Sequence, residues 1–487
     1  MIDKIQGFKN ACAEALDAFS LMQLRPYARD IGVEVPTKKK KMDLIADIVA
    51  VLSGEVAPIE RSKLGAPVKD DHVDPEIEQS IAKLRYVWFA GVEPPVRLTY
   101  FESQMRNSMV AQSSDNAMTY EQYHAQEIHA GQLEILDEVP CLVDKSGDLS
   151  GERLLVSVEL IRQYGLREGD VITCHAFEKM GVRAAKNILS INSLYAGTEK
   201  RFIFDREAVA YPTEKIAFTS SETSGTVGKY LDYVLPIGYG QRCLISSMPK
   251  AGKSVFLRDI AKALCEGKRR GREVLVLLVD QSPELISSYQ AFMKAGNLVA
   301  TTYEDEATRH VFASEFLLKR AKRFAEMGMD VVLIVDSLSK VAKAYNETDF
   351  SIGGKTLPCG LESKSAHYIK KYFGAARRFA ERGSLTLIGG AAFGTGDGMD
   401  DTLYSELSSV ANAEIRLSEE LSKRRIFPAV DVALSYSDCL QQLFTAEEQE
   451  AERAFRKYVL SSADAEAAHS ILTSSENFDE FYKNCKK

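Results

Sequence analysis

Residues 247–254 read Ser-Met-Pro-Lys-Ala-Gly-Lys-Ser, directly after a short apolar run and directly before a stretch typical of a helix. A loop between a strand and a helix that ends in Gly-Lys-Ser indicates a phosphate-binding P-loop. The backbone N–H groups of such a loop and of the helix N-terminus bind a polyphosphate. Position 247 is Ser, where the general pattern has Gly. The stretch predicts nucleotide binding through Pro249, Lys250, Ala251, Gly252, Lys253, Ser254 and Val255.

An acidic residue at the end of an apolar strand completes this prediction. Residues 331–337 read Val-Val-Leu-Ile-Val-Asp-Ser, so the strand ends at Asp336. In P-loop proteins an acid at this place and the hydroxyl of the loop hold Mg²⁺, while the loop lysine contacts the terminal phosphates. We therefore expect Asp336 and Ser254 to bind Mg²⁺ and Lys253 to contact the phosphates.

A second apolar strand, 274–279, is followed by Asp-Gln-Ser-Pro-Glu at 280–284. The carboxyl ends of parallel strands meet at one edge of a sheet, so these residues should lie beside the P-loop. A catalytic base belongs in this position. Asp280 and Glu284 are acidic candidates, whereas Gln281 can only orient a water molecule.

Apolar strands alternate with amphipathic helices from residue 205 onward, which predicts a doubly wound, mostly parallel α/β sheet. The last segment, 445–487, is expected to be helical and polar. The predicted strands lie at 243–246, 273–279, 330–336 and 384–390, and the predicted helices near 254–266, 307–327 and 364–382.

The chain before residue 205 divides into three further predicted regions. Residues 1–55 form a small helical module with two helices, and residues 56–130 form a proline-containing linker. Residues 131–198 look all-β, and short strands over this length suit a five-stranded OB-type barrel. In the helical module, Thr37 is expected to cap the second helix, whose apolar face includes Met42.

Four lysines, at 38–41, stand at the start of that second helix. Their charge opposes the positive end of the helix dipole, and an external anion would relieve this repulsion. A phosphate contact through Lys39 and Lys40 and a solvated basic turn both fit the pattern.

The composition excludes some classes of protein. Among 487 residues, 61 are basic and 69 acidic, and the formal net charge of -8 argues against a uniformly basic nucleic-acid coat but not against a local groove. Eight cysteines without a C-x-x-C pair predict a reduced, cytoplasmic protein without structural zinc. The chain begins without a secretory signal and has no run of 18 apolar residues, so no membrane partner is expected.

Several segments resemble the bacterial transcription termination factor Rho family. They are Pro-Ile-Gly-Tyr-Gly-Gln-Arg at 236–242 leading into the P-loop, Asp-Ser-Leu-Ser-Lys at 336–340, Phe-Gly-Ala-Ala-Arg at 373–377 and Arg-Ile-Phe-Pro-Ala at 425–429. The resemblance runs in order over nearly the whole chain. It implies a multidomain protein in which 205–487 is a RecA-like P-loop ATPase domain and 131–198 is the primary RNA-binding barrel.

The same resemblance implies a function. Members of this family are ring-shaped hexamers. They are RNA-dependent ATPases and 5′-to-3′ translocases that use ATP with Mg²⁺ and release transcripts from RNA polymerase, and the resemblance implies the same for this chain. By position, Phe427 stacks on adenine and Arg425 reaches toward a neighbour's nucleotide. Lys355, with Gly353 and Gly354, lies on the central RNA-gripping loop. The implied catalytic residues are Lys253, Gln281, Asp336 and Arg425.

Four places depart from the family pattern. Residues 139–144, Val-Pro-Cys-Leu-Val-Asp, lack the aromatic rings of the family's Gly-Phe-Gly-Phe type segment. Because stacking contributes about 1–3 kcal/mol per base, RNA binding by the barrel should be weak, and rings at Val139 and Cys141 should strengthen it. Gln281 replaces the catalytic Glu, Asp438 stands at the arginine-finger position, and Gly398 replaces a pore-loop Lys.

Three interpretations follow from these matches and departures. The chain is a working terminator of the Rho type, or a catalytically degenerate relative that binds nucleotide and serves as a regulatory or assembly partner, for instance in a mixed ring with a paralogue. A generic P-loop ATPase acting on something other than RNA fits the resemblance least. Gln281 is either a lesion or a working substitute, and a small shift in alignment near Asp438 brings Arg424 or Arg425 to the finger position.

Overall fold

The computed structural model describes most of the chain, in segments that fall into two compact units. One unit comprises Met1–His129 with Ile172–Glu199, and the other Ala130–Val171 with Lys200–Lys487. The domain ranges 1–55, 56–130, 131–198 and 205–487 remain predictions. The described residues are 2–33, 39–53, 74, 77, 80–81, 128–151, 153–179, 182–195, 201–219, 225–267, 271–349, 359–461, 465–475 and 477–485.

The N-terminal segment forms three helices, one more than the sequence predicted. They are α1 (Ile2–Asp17), α2 (Leu21–Asp30) and α3 (Lys41–Leu52). Ser20 caps α2 in a capping box with Gln23. The core residues include Leu16, Leu24, Tyr27, Ile45 and Ile48.

Two details of the predicted second helix change in the structure. Met42 is 71% exposed, so its assignment to the apolar face is wrong. Met42 has the helical spacing of Ile45 and Val49 but lies in the first turn of α3, and burial begins only at Leu44. The α3 N-cap is Lys40, and Thr37 lies outside the described residues.

Residues 128–195 contain six strands and one helix. Strands β1 (Ile128–Leu136), β2 (Val139–Val143) and β3 (Leu154–Leu155) pair antiparallel in chain order. Helix α4 (Val158–Tyr164) follows, and then β4 (Val171–Lys179), β5 (Val182–Ile191) and β6 (Leu194–Tyr195), which also pair antiparallel in order.

The all-β expectation for 131–198 is therefore wrong at α4. The Oγ of Ser157 accepts from the N–H of Leu160 at the start of α4, and Gly165 ends the helix in the left-handed region at φ 56°. These two residues are ordinary helix start and stop signals.

The largest sheet lies between Lys200 and Lys487. Its strands are β7 (Val209–Ala210), β8 (Arg242–Ser247), β9 (Arg272–Gln281), β10 (Leu298–Thr302), β11 (Asp330–Asp336), β12 (Arg377–Phe379), β13 (Ser384–Ala392), β14 (Ala413–Leu417) and β15 (Tyr436–Ser437). The order β10-β9-β11-β13-β8-β14 is parallel throughout, and β15 joins its edge antiparallel. This confirms the doubly wound α/β domain. Continuous Val, Leu and Ile runs suit strands that are covered on both faces.

Helices cover both faces of this sheet and continue into the C-terminal tail. They are α5 (Gly225–Tyr233), α6 (Lys253–Glu266), α7 (Pro283–Gln290), α8 (Ala307–Glu326), α9 (Leu338–Asp349), α10 (Ser363–Phe373), α11 (Gly398–Ser408), α12 (Glu419–Lys423), α13 (Leu440–Leu443), α14 (Ala446–Ser461), α15 (Ala465–Ser474) and α16 (Phe478–Cys485). In the part of the chain that the structure describes, no helix is long and apolar enough to span a membrane.

The predicted helix 364–382 is wrong in its second half. Helix α10 ends at Phe373, and Arg377–Phe379 form β12. Arg377 and Arg378 pair antiparallel with β13, and Arg378 and Phe379 pair with β7. Strand pairing on both sides stabilises β12 as an extended segment. Three residues are too few to show a strand pattern in the sequence.

Candidate nucleotide-binding site

The P-loop joins β8 to α6 in the way that its sequence predicts. Gly252 is the N-cap of α6 with φ 93°, and Lys250 has φ 64°. Only glycine adopts the Gly252 conformation without strain. The N–H of Phe256 donates to the Gly252 carbonyl at 3.0 Å, which starts the helix directly behind the loop. A helix N-terminus directly behind a glycine-containing loop is the arrangement that an anion site requires.

Lys253 and Asp336 lie together. The Lys253 Nζ is 3.4 Å from Asp336 Oδ1, and both side chains are largely shielded from solvent. Strand β13 lies between β8 and β11, so the lysine must pass over it. A Cβ built on Gly390 of β13 would lie 2.9 Å from Lys253 Cδ. Gly390 therefore provides the space that the lysine needs, as a glycine inside a strand does where another group approaches closely.

The Asp336 carboxylate is fully buried, and neither oxygen has a hydrogen-bond partner among the described residues. Burial, and after it the negative charge of Asp336, raises the pKa of Tyr289 well above its usual range. A buried carboxylate that accepts no hydrogen bond and has only the Lys253 ammonium within ion-pair distance is a ligand that suits Mg²⁺. No cluster of three or more His, Cys, Asp or Glu side chains occurs within the described segments. The ligand set fits a magnesium ion bound mainly through phosphates, with Ser254 and Asp336 as protein ligands.

Gln281 is the residue at the end of β9 that reaches the acidic strand. Its Nε2 donates to the Asp336 backbone carbonyl at 3.0 Å. The neighbouring Asp280 instead pairs with Lys340, at 3.2 Å, and Glu284 is exposed in the first turn of α7. Of the three candidates, Gln281 contacts the Asp336 segment through its amide, and the negative charge of Asp280 is compensated by Lys340.

Phe427 and Arg425 lie on the loop after α12. A Cβ built on Gly252 would lie 3.6 Å from Phe427 Cε1, so the ring lies against the P-loop, and Phe427 is 46% exposed. The Ser422 Oγ donates to the Lys250 carbonyl at 3.1 Å and fixes the two loops together. Arg425 is exposed with φ 63°, and Arg424 pairs with Glu466 at 3.5 Å.

Two groups of residues are predicted RNA contacts. Lys355, Gly353 and Gly354 lie outside the described residues. In the N-terminal unit, the Lys39 Nζ is 2.6 Å from Asp47 Oδ2, while Lys40 begins α3. The lysine repulsion expected at this helix start is thus partly relieved within the chain itself.

The positions that depart from the family pattern lie on exposed or capped segments. Asp438 is exposed just after β15, and Gly398 begins α11, which Asp397 caps. In β2, Val139 is 46% exposed, but Cys141 is 2% exposed. An aromatic ring at Cys141 would have to displace its buried neighbours, and the effect of rings at Val139 and Cys141 on RNA binding stays a prediction.

Comparisons with known proteins agree with this geometry. A model of the ATP synthase alpha/beta family, nucleotide-binding domain, matches residues 228–437. Transcription termination factor Rho of Mycobacterium tuberculosis (strain ATCC 25618 / H37Rv) is 34% identical over 356 residues, which is 71% of this chain and 58% of that protein. The corresponding protein of Escherichia coli (strain K12) is 31% identical over 343 residues, covering 69% of this chain and 81% of its own length.

A solved structure supports the fold. It is described as a prototypical ATPase from the type III secretion system of pathogenic bacteria, with a TM-score of 0.50 and 20% identity, covering 63% of this chain and 94% of its own. The sequence matches extend over 69–71% of the chain, less than the nearly complete coverage expected from the motifs. The chain spans 58% of the length of the mycobacterial relatives it matches.

Proposed function

This chain belongs to the transcription termination factor Rho family, and on that premise we propose that it is an ATP-dependent, RNA-binding ATPase of the Rho type with attenuated hydrolysis. The observation that carries the nucleotide part is the pair of Lys253 and Asp336, 3.4 Å apart beside a P-loop that starts α6 at Gly252. Lys253 contacts the terminal phosphates, and Phe427 stacks on the base.

Mg²⁺ belongs to the same proposal. Ser254 and Asp336 would hold the ion, which would neutralise the charge that develops on the phosphates. The Asp336 carboxylate, which accepts no hydrogen bond among the described residues, supports this assignment. Lys253 stays close to the bound phosphates because Gly390 leaves space for its stem.

The attenuation rests on the chemistry of two side chains. Gln281 holds the position beside Asp336, and an amide orients a water molecule but takes no proton from it. Asp438 is an acid where the family has an arginine finger, a group that contributes about 10³–10⁵ in rate. We propose that Arg425, exposed beside Phe427, partly serves this role toward a neighbouring subunit.

The remaining parts of the function follow the family. We propose an OB-type barrel in residues 131–198 that binds RNA weakly, a channel loop containing Lys355, Gly353 and Gly354, and a ring of six subunits. The antiparallel strand triplets and the helix after β3 support the barrel. Lys39 and Lys40 remain candidate phosphate contacts. A transcription complex with RNA polymerase is the proposed target.

A second candidate function is a nucleotide-binding regulatory or assembly partner, for example in a ring with an active paralogue. The amide at Gln281 and the acid at Asp438 favour it, because both changes slow hydrolysis and leave the nucleotide pocket intact.

Two measurements on the purified protein test the proposal and separate it from the alternative. An equilibrium titration with a fluorescent ATP analogue and Mg²⁺ should show binding that Lys253→Ala abolishes and that Lys262→Ala preserves. Lys262 is the matched control because it lies on the same helix and, among the residues that the structure describes, pairs only with Glu266, at 4.0 Å. Unchanged affinity in Lys253→Ala would contradict the pocket.

The second measurement is ATP hydrolysis with and without cytidine-rich RNA. Slow turnover that RNA stimulates supports the attenuated motor. Tight ATP binding without any turnover, with or without RNA, contradicts it and favours the regulatory partner.

A further inference from the structure

Helix α10 has a basic surface that the nucleotide site does not use. No Asp or Glu occurs between Ser363 and Phe373, in a chain whose net charge is -8. Lys370 pairs with Glu406 at 2.6 Å, whereas no ion pair is recorded for Lys364 or Lys371 within the described segments. The exposed residues of this face are Ser363, Lys364, His367, Tyr368 and Lys371.

The same surface carries an aromatic ring in a fixed orientation. The rings of Tyr368 and Tyr345 of α9 are stacked, with centroids 5.3 Å apart and planes inclined by 13°. Tyr345 is buried, and its hydroxyl donates to Glu315 at 3.1 Å, so the lower ring is held in position. Tyr368 is 43% exposed. Its outer face is available to a further planar group.

The lysines and the ring line one concave region. The five exposed α10 residues line an open depression of about 480 Å³, within the size range of small-molecule sites. A nucleotide unit has one planar base and one anionic phosphate, which matches a ring flanked by Lys364 and Lys371. A partner that offered only anionic groups would leave the exposed ring unused.

Two further cations, Lys322 and Arg377, interact with the basic end of α10 or with each other. Burial lowers the pKa of Lys322 on α8, and the charges of Arg377 and Lys371 lower it further, while Asp205 acts in the opposite direction. The Arg377 guanidinium and the Lys322 ammonium both lie over the Phe204 ring, at 4.7 and 5.2 Å. The charges of Lys322, Arg377 and Lys371 therefore interact, although Arg377 also pairs with Asp205, at 3.9 Å.

We propose that this α10 face is a binding site for single-stranded RNA, with a base stacked on Tyr368 and phosphates at Lys364 and Lys371. The site rests on the proposed function, to which it adds an RNA contact separate from the barrel and from the loop that contains Lys355. A single strand is the occupant, because a duplex keeps the faces of its bases inside the stack and an unpaired base exposes them.

The test uses the full chain and a labelled cytidine-rich single-stranded RNA, with anisotropy titrations at several salt concentrations and without ATP. Lys364→Ala with Lys371→Ala should weaken binding about 10-fold or more and reduce the salt slope by roughly 1.4, because each phosphate contact contributes about 0.7. Lys294→Ala with Lys457→Ala is the charge-matched control, since both lysines are exposed on other parts of the same unit.

The aromatic contact is tested separately. Tyr368→Leu keeps an apolar contact with Tyr345 but removes the planar face, and should weaken binding about 5-fold or more. Tyr368→Phe should bind as the wild type does, because stacking needs the ring and not the hydroxyl. Duplex RNA and inorganic polyphosphate should compete poorly with the labelled strand.

The contrary results are equally definite. An α10 double variant that binds like its charge-matched control at every salt concentration overturns the site and identifies the face as an ordinary solvated helix surface. A Tyr368→Leu variant with wild-type affinity, or displacement by polyphosphate as effective as that by RNA, overturns the stacked base. ATP affinity, measured in parallel, should stay constant in all α10 variants. Wild-type protein that binds ATP but no RNA contradicts the proposed function as well.

Discussion

At the scale of single residues, the contact between Gln281 and Asp336 determines what the site can catalyse. The amide Nε2 is engaged by the Asp336 carbonyl, which leaves the Oε1 as the group that can accept from water. A water molecule held in this way is oriented but keeps its proton. Asp280, the nearest acid in sequence, pairs with Lys340 and so does not supply the missing base.

We therefore expect Gln281→Glu to raise RNA-stimulated ATP turnover, by about 10-fold or more, because a positioned general base contributes roughly 10²–10⁴ and the oriented water already provides part of this. The carboxylate cannot donate to the Asp336 carbonyl, a loss of about 1 kcal/mol in stability. Steady-state turnover and ATP titration on the same preparation separate the two effects. Gln281→Ala, as control, should lower turnover. A Glu variant that binds ATP normally and hydrolyses it no faster would show that Gln281 is a working substitute.

The residues of the phosphate site could be identified from sequence, while their supports could not. Lys253, Ser254 and Asp336 belong to short motifs whose chemistry requires those residue types. Gly390 matters only because β13 lies between β8 and β11, and that strand order is a long-range property of the sheet. Ser422 contacts Lys250 from 172 positions away in the chain, which no local pattern reveals.

At the scale of elements, β2 shows why an RNA-binding segment cannot be rebuilt from an alignment alone. Val139 is exposed, opposite Leu136 on β1, whereas Cys141 lies inside, opposite Glu134. Positions 139 and 141 share one face of the strand, but burial increases along β2 from Val139 to Val143, so of the two only Val139 is open to RNA.

Val139→Phe should accordingly strengthen binding of single-stranded RNA about 5-fold or more, through stacking on the new ring. Cys141→Phe should destabilise the fold by roughly 1–3 kcal/mol, because it overpacks a filled interior, and should not improve binding. Filter binding measures the first effect and urea unfolding the second. Equal RNA affinity of Val139→Phe and the wild type would count against an RNA contact at this strand.

Helix α8 is attached to the strand β1 by a buried polar network. The fully buried Arg320 donates through Nε to Gln132 Oε1 and through Nη2 to the Lys145 carbonyl, both at 2.7 Å. It also donates to the Gly296 carbonyl, and Gln132 Nε2 donates to the Phe316 carbonyl at 2.7 Å. A charge at this depth is tolerated only while its donors are used.

Arg320→Met should therefore lower the free energy of opening of the segment 132–145 by about 3 kcal/mol, since the buried Gln132 and two half-buried carbonyls lose their donor. Hydrogen exchange of the backbone amides in that segment measures the change directly. Arg453→Met, on the exposed face of α14, is the matched control and should leave the exchange rates unchanged. Protection in Arg320→Met equal to that of the control would mean that apolar packing alone holds β1 to α8.

A helix or strand was predictable where its own residues carry the pattern of that element. The strands β8, β9, β11 and β13 are continuous apolar runs, and the predicted bounds differ from the observed ones by two residues at most. By contrast, β12 has three residues and exists because β7 and β13 pair with it. Helix α4 was missed although Ser157 and Gly165 mark its ends, since the short strands around it dominated the pattern.

At the scale of the whole molecule, the proposed site is complete only in a ring. Asp438 removes the family's finger, and Arg425 is exposed without a recorded ion pair among the described residues. In a closed head-to-tail ring each subunit presents the same surface to its neighbour's opposite face. In the function that we propose, Arg425 would then serve a nucleotide bound by the adjacent subunit, while Lys253 would serve its own.

This arrangement predicts complementation between two inactive variants. Arg425→Ala keeps an intact P-loop, and Lys253→Ala keeps an intact Arg425, so a mixed ring contains interfaces in which both groups are present. In a Gln281→Glu background, which should raise turnover into a measurable range, the mixture should hydrolyse ATP faster than the sum of the two variants alone. Each variant incubated with itself under the same conditions is the control, and native mass spectrometry verifies mixed rings. Mixed rings that show no gain would place Arg425 outside the catalytic interface, because a group acting across subunits must complement in this geometry.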